Sequence, residues 1–402
     1  MKISRLVVGC LTGVMALSIG CSSEGAPGSG GNGGMGGAAG GAGGMAGDGG
    51  TGGDERRPLP DIYATGKAIN YSAFRAGGPD VGEIPSDADV LEDLGLLQTV
   101  GYDLLRLFGA DAVSEKILRL AAENFPEMWF QQGIYVGGLA DESCESALND
   151  EQVDIGIRLA NTYSNVVTVS VGNETSFFSR YMPLNCLESY ISRTRDNVTQ
   201  PVTADDDYTF YAGLNSVGGD RNGSKPDTIL PLLDFVSIHM YPITNYRQWD
   251  WKQEGVAAGP LRAEAMMNEA LATAQDNYQV VYDYPYLDAS GATVTVGESL
   301  PIVVGETGWK WRQTTLSQEI ETYAALPVNA KWYYDLLLTW EGSPGGPSTI
   351  FIFEAFDETW KTTDDGWGLW DEFRMPLYAL CDTPAGSACN DPLYEGAGYY
   401  SP

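Results

Sequence analysis

The chain has little positive charge and almost no histidine. Its 23 lysines and arginines face 54 aspartates and glutamates, and one histidine is present among 402 residues, so the formal net charge is −31 at pH 7. An excess of negative charge this large is repelled by nucleic acid and by anionic lipid surfaces. We therefore expect no nucleic acid partner, whereas a neutral polymer is compatible with the charge.

Metal ligands and nucleotide-binding glycines are missing as well. His239 stands alone, and the spacings of the six cysteines do not fit a zinc site. The many glycines between residues 25 and 53 have no strand before them and no helix after them, as a phosphate-binding loop requires. We expect neither a metal nor another cofactor.

The N-terminal apolar run is too short to span a bilayer comfortably. It extends from Leu6 to Ile19, follows Lys2 and Arg5, and leads to Cys21. This pattern resembles a bacterial lipoprotein signal, which implies cleavage before Cys21 and acylation of its sulfur. An ordinary signal peptide with a chance cysteine is the alternative. The resemblance implies export, with the lipid as the sole membrane contact and the outer membrane or cell surface as the destination.

The composition divides the chain into four parts. Residues 1–20 are the predicted signal peptide, and 21–60 are the lipidated cysteine with a tether whose residues 25–53 are mostly glycine. Such a segment buries too little apolar surface to fold and reaches about 30 Å as a random coil. Residues 61–382 form the predicted globular domain, and residues 383–402 a C-terminal tail.

Four cysteines remain once Cys10 is assigned to the signal and Cys21 to the lipid. An even number in an exported chain indicates two disulfides, for which three pairings are possible. The economical pairing joins Cys144 to Cys186 and Cys381 to Cys389.

The globular part is an uninterrupted stretch of strand and helix patterns. Its length and alternation predict an α/β fold, the (β/α)8 TIM barrel, with a monomer expected. A doubly wound open sheet is the competing fold. The predicted strands are Lys67–Ser72, Leu104–Phe108, Met128–Tyr135, Val166–Val171, Val202–Ala204, Phe235–Met240, Ile302–Gly305 and Thr349–Phe353. The predicted helices are Asp87–Val100, Ser114–Asn124, Asp150–Tyr163, Leu187–Val198, Arg262–Tyr278 and Ser317–Trp340, with a single turn near Asp227–Leu233.

Two glutamates each follow one of these β-branched runs. Glu174 comes after Val166–Val171, and Glu306 ends the run Ile302–Gly305. The active site of such a barrel is built at the carboxyl ends of its strands, so the fold brings the two together although they lie far apart in sequence. Two carboxylates on one rim are suited to serve as proton donor and nucleophile of a glycosidase.

At these residues the chain resembles a clan A glycosidase and, more narrowly, glycoside hydrolase family 17. Asn173-Glu174 is typical of the whole clan, and Val303-Val304-Gly305-Glu306-Thr307-Gly308-Trp309 resembles the nucleophile motif of the family. Three further stretches agree with the family pattern: Ala68 to Ser72, Gly101 to Gly109, and Phe356 to Lys361 followed by Trp367. The resemblance covers residues 66 to 380 and implies a β-1,3-glucan substrate, retaining chemistry and no metal.

The resemblance also implies roles for individual residues. Glu174 would be the acid/base, Glu306 the nucleophile, and Asn173 a substrate-binding residue. Glu358 and Lys361 would form a charged pair in which the lysine keeps Glu306 ionised, with a surface ion pair as the alternative. Three groups of substrate-binding candidates remain. Tyr241 would orient the nucleophile, and Tyr71 with Arg106 would form the floor of a sugar site. Trp309 and Trp311 would be indole platforms for sugar rings. Plain core packing is the alternative for Tyr241.

Two other features are interpreted as structural. Asp205-Asp206-Asp207 follows the fifth predicted strand and is expected to be a solvated acidic turn. His239 lies in an apolar strand and is expected to be a hydrogen-bonded core residue.

The favoured function is that of a lipid-anchored retaining glycoside hydrolase that cleaves β-1,3-glucan. The 22 tyrosines and 10 tryptophans supply ring faces of the kind that stack on sugars. Two alternatives stay open: a β-1,3-glucan transglycosylase that uses the same two glutamates, and a noncatalytic surface protein that binds glucan.

Overall fold

Eight parallel strands close into a barrel in the described part of the chain. The computed structural model describes residues 56–137, 144–175, 182–214, 225–244, 249–257, 259–315 and 319–389. The barrel strands are β1 (Lys67–Asn70), β2 (Tyr102–Leu107), β3 (Trp129–Ile134), β4 (Val166–Asn173), β5 (Val202–Asp207), β6 (Val236–His239), β7 (Ile302–Thr307) and β8 (Ile350–Ile352). Each strand pairs with the next and β8 pairs with β1. The predicted TIM barrel is confirmed.

Helices alternate with these strands. The α-helices are Ile62–Thr65, Asp87–Val100, Ala112–Asn124, Ala147–Thr162, Leu184–Asn197, Tyr208–Tyr211, Pro260–Tyr282, Val296–Ser299, Glu319–Ala324 and Pro327–Trp340, and the 3-10 turns are Pro79–Val81, Pro226–Thr228, Leu230–Leu232, Thr359–Lys361 and Tyr378–Leu380. A two-stranded hairpin, Pro285–Leu287 with Thr293–Thr295, precedes β7. None of the described helices is long and apolar enough to cross a membrane.

Several predicted bounds differ from the observed ones by a few residues, and two of the differences change the interpretation of an element. The single helix expected over Ser317–Trp340 is two helices, because Pro327 has no N–H to continue a helix and instead starts the second one. The short strand expected over Val202–Ala204 continues to Asp207, so the acidic run is strand rather than turn.

The barrel interior changes from apolar to polar along its axis. At the amino end of the strands, Tyr63, Ala68, Leu104, Phe235, Val303 and Phe351 form a separate apolar cluster. Strand side chains alternate between two faces, so the residue two positions further on points into the same interior. Those residues are largely polar: Asn70, Arg106 and Ser237 are fully buried, with at most 1% of each exposed. The larger apolar core lies between the barrel and the helices.

The chain is anchored at the amino end of the barrel. Arg56 donates to the carbonyl oxygen of Ser299 at 2.6 Å, and Arg57 donates to that of Gln200 at 2.8 Å. Ser299 lies just before β7 and Gln200 just before β5. These two arginines were predicted to belong to the tether, but they are bonded to the barrel. The signal peptide, Cys21 and the glycine-rich segment lie outside the described residues.

Two disulfides are present among the described residues. They join Cys144 to Cys186, which closes a span of 42 residues, and Cys381 to Cys389, which closes a span of 8. This is the economical one of the three possible pairings.

Candidate active site

The two predicted carboxylates meet at the carboxyl end of the barrel. Glu174 directly follows β4, and Glu306 lies near the end of β7. Their side chains are 27% and 6% exposed, respectively. A carboxylate oxygen of one lies within 4.8 Å of a carboxylate oxygen of the other. Glu174 is thus open to a ligand, whereas Glu306 is enclosed by protein.

The backbone before Glu174 turns sharply at the strand end. Gly172 has a φ of 87° and Glu174 itself a φ of 53°. A positive φ is uncommon for a residue with a side chain and is maintained by surrounding contacts. Here the Glu174 N–H donates to the carbonyl oxygen of Asp205 at 2.9 Å, which fixes the turn against β5.

Glu306 accepts two short hydrogen bonds from charged or polar donors. Arg106 Nη1 donates to its Oε1 at 2.6 Å, and the Tyr241 hydroxyl donates to its Oε2 at 2.6 Å. Burial alone would raise the pKa of Glu306, but the positive charges of His239 and Arg106 together with these hydrogen bonds lower the pKa below its ordinary value. Glu306 is therefore a carboxylate at neutral pH.

Arg106 connects residues from four other strands. Besides Glu306 on β7, its guanidinium donates to Asp205 Oδ2 at 2.8 Å, to Asn70 Oδ1 at 2.7 Å and to Asn173 Oδ1 at 2.6 Å. A planar five-donor fork matches such a divergent set of oxygens, and a single ammonium does not. The prediction placed Arg106 in the floor of a sugar site, but its donors are directed at these four protein oxygens.

Asp205 is the second carboxylate on Arg106. It is 1% exposed and also accepts from Gln131 Nε2 at 3.1 Å. The expectation of a solvated acidic turn was wrong for Asp205 and Asp206, because both lie within β5 and are buried, each 1% exposed. Asp207, the third acid, caps the short helix Tyr208–Tyr211 through the N–H of Thr209 at 2.8 Å.

His239 lies between the two glutamates. Its Nδ1 is 3.1 Å from Glu174 Oε1 and 3.6 Å from Glu306 Oε2, and its side chain is fully buried. It was expected to be an ordinary core histidine. It is buried as expected, but its ring contacts both catalytic candidates.

The charged pair after β8 does not reach the nucleophile. Lys361 Nζ contacts Glu354 Oε2 at 2.9 Å and also contacts Glu358 Oε2, and both glutamates are 2% exposed. The prediction that Lys361 keeps Glu306 ionised was wrong, because Arg106 occupies that position. The alternative of a surface ion pair was wrong as well, because both carboxylates are buried. Glu354, which the sequence analysis missed, completes a cluster of three charged side chains.

Two aromatic candidates do not face the carboxyl end of the barrel. Tyr71 is 1% exposed, and its hydroxyl donates to Asp93 Oδ2 on the helix behind β1 at 3.2 Å. Trp309 is 4% exposed, and its indole N–H donates to the carbonyl oxygen of Ala324 at 2.8 Å. Neither ring can stack on a sugar, so both assignments to the substrate site were wrong.

Trp311 and Tyr241 keep part of their surface exposed. Trp311 Nε1 donates to Asp357 Oδ2 at 2.9 Å, which joins the loop after β7 to the loop after β8. The Tyr241 ring packs edge-on against Phe353 at 5.7 Å and against Trp367 at 5.0 Å. These contacts orient the hydroxyl that binds Glu306.

The alternation of side chains along a strand could have identified the site residues that were not predicted from the sequence. Ser237 and His239 on β6 and Tyr241 just after it are spaced by two, so a prediction that places Tyr241 in the interior places His239 there as well. The same alternation separates Asn70, which binds Arg106, from its neighbour Tyr71, which points outward.

A closed (β/α)8 barrel with two carboxylates at the carboxyl end of its strands defines a glycoside hydrolase of the barrel type. The chain belongs to the BtgE/BtgC glycoside hydrolase domain family, whose model matches residues 68–369. No curated protein sequence matches the chain.

Several solved structures share the fold. An endo-laminarinase from Formosa Hel1_33_131 is 21% identical with a TM-score of 0.63, over 76% of this chain and 83% of its own. An active-site mutant of the Rhizomucor miehei β-1,3-glucanosyltransferase in complex with laminaritriose is 17% identical with a TM-score of 0.55, over 81% and 99%. CJP38, a β-1,3-glucanase and allergen of Cryptomeria japonica pollen, is 17% identical with a TM-score of 0.50, over 80% and 99%.

Proposed function

We propose that the protein is a retaining hydrolase of β-1,3-glucan, with Glu306 as nucleophile and Glu174 as acid/base. The observation that carries the proposal is the pair itself: one ionised and enclosed carboxylate within 4.8 Å of one that is open to a ligand. Retaining glycosidases separate their carboxyl groups by about 5–5.5 Å, whereas inverting enzymes need about 6.5–9.5 Å to fit a water molecule.

The reaction follows from this arrangement in two steps. Glu306 attacks the anomeric carbon while Glu174 gives its proton to the glycosidic oxygen, so the C–O bond breaks and a glycosyl ester of Glu306 forms. Glu174, now a carboxylate, takes a proton from water, whose oxygen attacks the same carbon and releases Glu306. Tyr241 and Arg106 hold the carboxylate of Glu306 in place throughout.

The β-1,3-glucan substrate is proposed from two sources. The sequence around Glu306 and Lys361 resembles glycoside hydrolase family 17, and we propose a relationship between that family and this chain. The proteins that share the fold include a laminarinase, a β-1,3-glucanase and a β-1,3-glucanosyltransferase. A cell-surface location through acylated Cys21 would bring the enzyme to an external polysaccharide.

The test uses laminarin and three single variants. Glu174→Gln and Glu306→Gln should each lower turnover at least a hundredfold, since general acid–base catalysis alone contributes about 10²–10⁴-fold. Glu341→Gln is the matched control. Glu341 is also a partly buried glutamate, but its carboxylate accepts from the N–H of Ile350 at the start of β8, at the opposite end of the barrel from the two catalytic candidates. It should keep wild-type turnover. Either active-site variant retaining a tenth of the activity would remove its residue from the mechanism.

Product analysis separates the remaining alternatives. Retention predicts that the first new reducing end, observed by NMR before mutarotation, has the β configuration. Shorter chains indicate hydrolysis, longer chains indicate transfer to a sugar hydroxyl in place of water, and unchanged laminarin indicates a binding protein. We expect shorter chains, and kcat/KM for laminarin at least a hundredfold above that for cellulose derivatives or mannan, a difference of about 2.7 kcal/mol in transition-state stabilisation.

A further inference from the structure

His239 is the chain's only histidine, and it touches both catalytic candidates. Its Nδ1 lies 3.1 Å from Glu174 Oε1 and 3.6 Å from Glu306 Oε2. The opposite ring nitrogen, Nε2, is buried. Within the described part of the chain, the polar contacts of this ring are therefore made to the two glutamates.

The neighbouring strand is shaped to admit the imidazole. Gly305, next to the nucleophile, lies so close to β6 that a Cβ there would be 2.2 Å from Ser237 Oγ and 3.3 Å from His239 Cδ2 and Nε2. A side chain at position 305 would collide with Ser237 and crowd the imidazole ring. The glycine thus contributes to the geometry of His239.

Charged and titratable groups face the ring from several strands. Glu174 approaches from β4, Glu306 from β7 and Arg106 from β2, while Asp205 on β5 is bonded to Arg106. Asp207 is the β5 residue in register with His239, and Tyr241 lies two residues beyond His239, just after β6. Burial lowers the pKa of His239, as does Arg106, but the negative charge of Glu306 and the hydrogen bond to Glu174 outweigh both and raise the pKa above its ordinary value.

We propose that His239 is a positioning residue whose imidazolium shares its Nδ1–H between Glu174 and Glu306 and so couples the charges of the two. The proposal rests on the proposed retaining function. Before the first step the single negative charge of the pair lies on Glu306, and after it the charge lies on Glu174. A cation in contact with both carboxylates stabilises each state without changing its own protonation. Because Glu174 Oε1 is bound to His239, its other oxygen, Oε2, carries the proton for the glycosidic oxygen.

The first test observes the ring directly and needs no substrate. With 15N-labelled histidine, the full-length protein gives one pair of imidazole nitrogen signals, which titrate with His239 alone. We expect a midpoint above the ordinary range for histidine, and a lower midpoint in Glu306→Gln, because the amide removes the facing negative charge. Glu341→Gln should leave the midpoint unchanged. A wild-type midpoint at or below the ordinary value, or one that Glu306→Gln does not move, would overturn the proposal.

The second test is the pH profile of kcat/KM on laminarin for His239→Asn. Loss of the cation should raise the pKa of Glu306 and so move the acid limb, which Glu306 sets, to higher pH. The ratio of kcat/KM at pH 8 to that at pH 5 should rise at least about tenfold, as expected when a unit charge is removed at this distance. Ser237→Ala, on the same strand and face, should leave the ratio unchanged.

The outcomes distinguish the two proposals. If His239→Asn lowered kcat but left the acid limb of the pH profile at the wild-type pH, His239 would have only a packing role and the coupling would be contradicted. If the wild-type protein did not cleave laminarin, the proposed function would fail while the NMR titration still decided whether His239 is a shared cation. If His239→Asn did not fold, the wild-type and Glu306→Gln titrations would decide alone.

Discussion

Replacing Arg106 by lysine tests the central claim about the site, namely that geometry and not charge alone holds the nucleophile. The guanidinium makes four hydrogen bonds of 2.6–2.8 Å to oxygens on four strands. A lysine ammonium keeps the charge but reaches at most the two carboxylates. The oxygens of Asn70 and Asn173 would then lose their donor inside the barrel.

The expected loss of stability follows from those two bonds. A hydrogen bond to a charged group contributes about 1.5–3 kcal/mol, so losing two and retaining the charge should cost about 3 kcal/mol in the free energy of unfolding. Removing the charge altogether would cost about 3–5 kcal/mol, because Asp205 and Glu306 would lose their shared partner. The nucleophile should also shift, and a displacement of about 1 Å lowers kcat about a hundredfold.

The assay is urea unfolding monitored by tryptophan fluorescence. The free energies of unfolding of the variant and the wild type are compared with the same slope m of free energy against urea concentration, and kcat on laminarin is measured in parallel. Arg193→Lys is the matched control, because Arg193 pairs with Asp150 and Asp154 on the surface and is itself 37% exposed. Surface ion pairs contribute at most about 1 kcal/mol, so this variant should unfold almost as the wild type does. Arg106→Lys unfolding within about 0.5 kcal/mol of the wild type, with normal kcat, would refute the reasoning.

Three further predictions concern other parts of the chain. Replacing both cysteines of the Cys144–Cys186 disulfide by alanine should cost about 4 kcal/mol in unfolding free energy and the same change at Cys381–Cys389 about 2.5 kcal/mol, because the longer loop loses more entropy; urea midpoints in the opposite order would contradict this. Burial raises the pKa of Asp207 to about 7, so the folded state keeps a proton that the unfolded chain has lost above about pH 4, and stability should fall as the pH rises between these values. Asp207→Asn should therefore be about 2 kcal/mol more stable than the wild type at pH 8 and nearly equal to it at pH 4, whereas a pH-independent difference in urea unfolding would count against the assignment. In detergent phase partitioning, the Cys21→Ala variant should move from the detergent phase to the aqueous phase, because the tether has no affinity for lipid. A variant that is cleaved but still partitions with detergent would exclude the lipid anchor.

The fold and the two glutamates could be predicted because both depend on strong local patterns. Each β-branched run ends at the position where a barrel exposes its strand tips, so Glu174 and Glu306 were located without knowledge of the contacts around them. The cysteine pairing followed from economy of span.

The partners of the nucleophile could not be predicted in this way, because they depend on which strand face points inward and on register across the barrel. Lys361 was assigned to Glu306 from the sequence, yet Glu354 and Glu358 bind it and Arg106 takes its place. Tyr71 was assigned to the floor of a sugar site, but its neighbour Asn70 is the residue that points into the barrel, because a shift of one residue along a strand moves a side chain to the opposite face. Trp309 was assigned to the substrate site from its place at the end of the nucleophile motif. The sequence alone does not show whether such an aromatic side chain faces the substrate or packs in the core, and Trp309 is buried.

The position of Arg56 and Arg57 has a practical consequence for attaching this protein to a surface. Both are bonded just ahead of β5 and β7, at the end of the barrel opposite Glu174 and Glu306. A bead, electrode or fusion partner joined through a linker upstream of residue 56 would meet the molecule at the pole farthest from the reacting groups. Enzyme immobilised in this way should therefore still act on a polysaccharide too large to enter the gap between the enzyme and the support. Attachment through the loops that follow β4 or β7 would instead block access of the polysaccharide to the two glutamates.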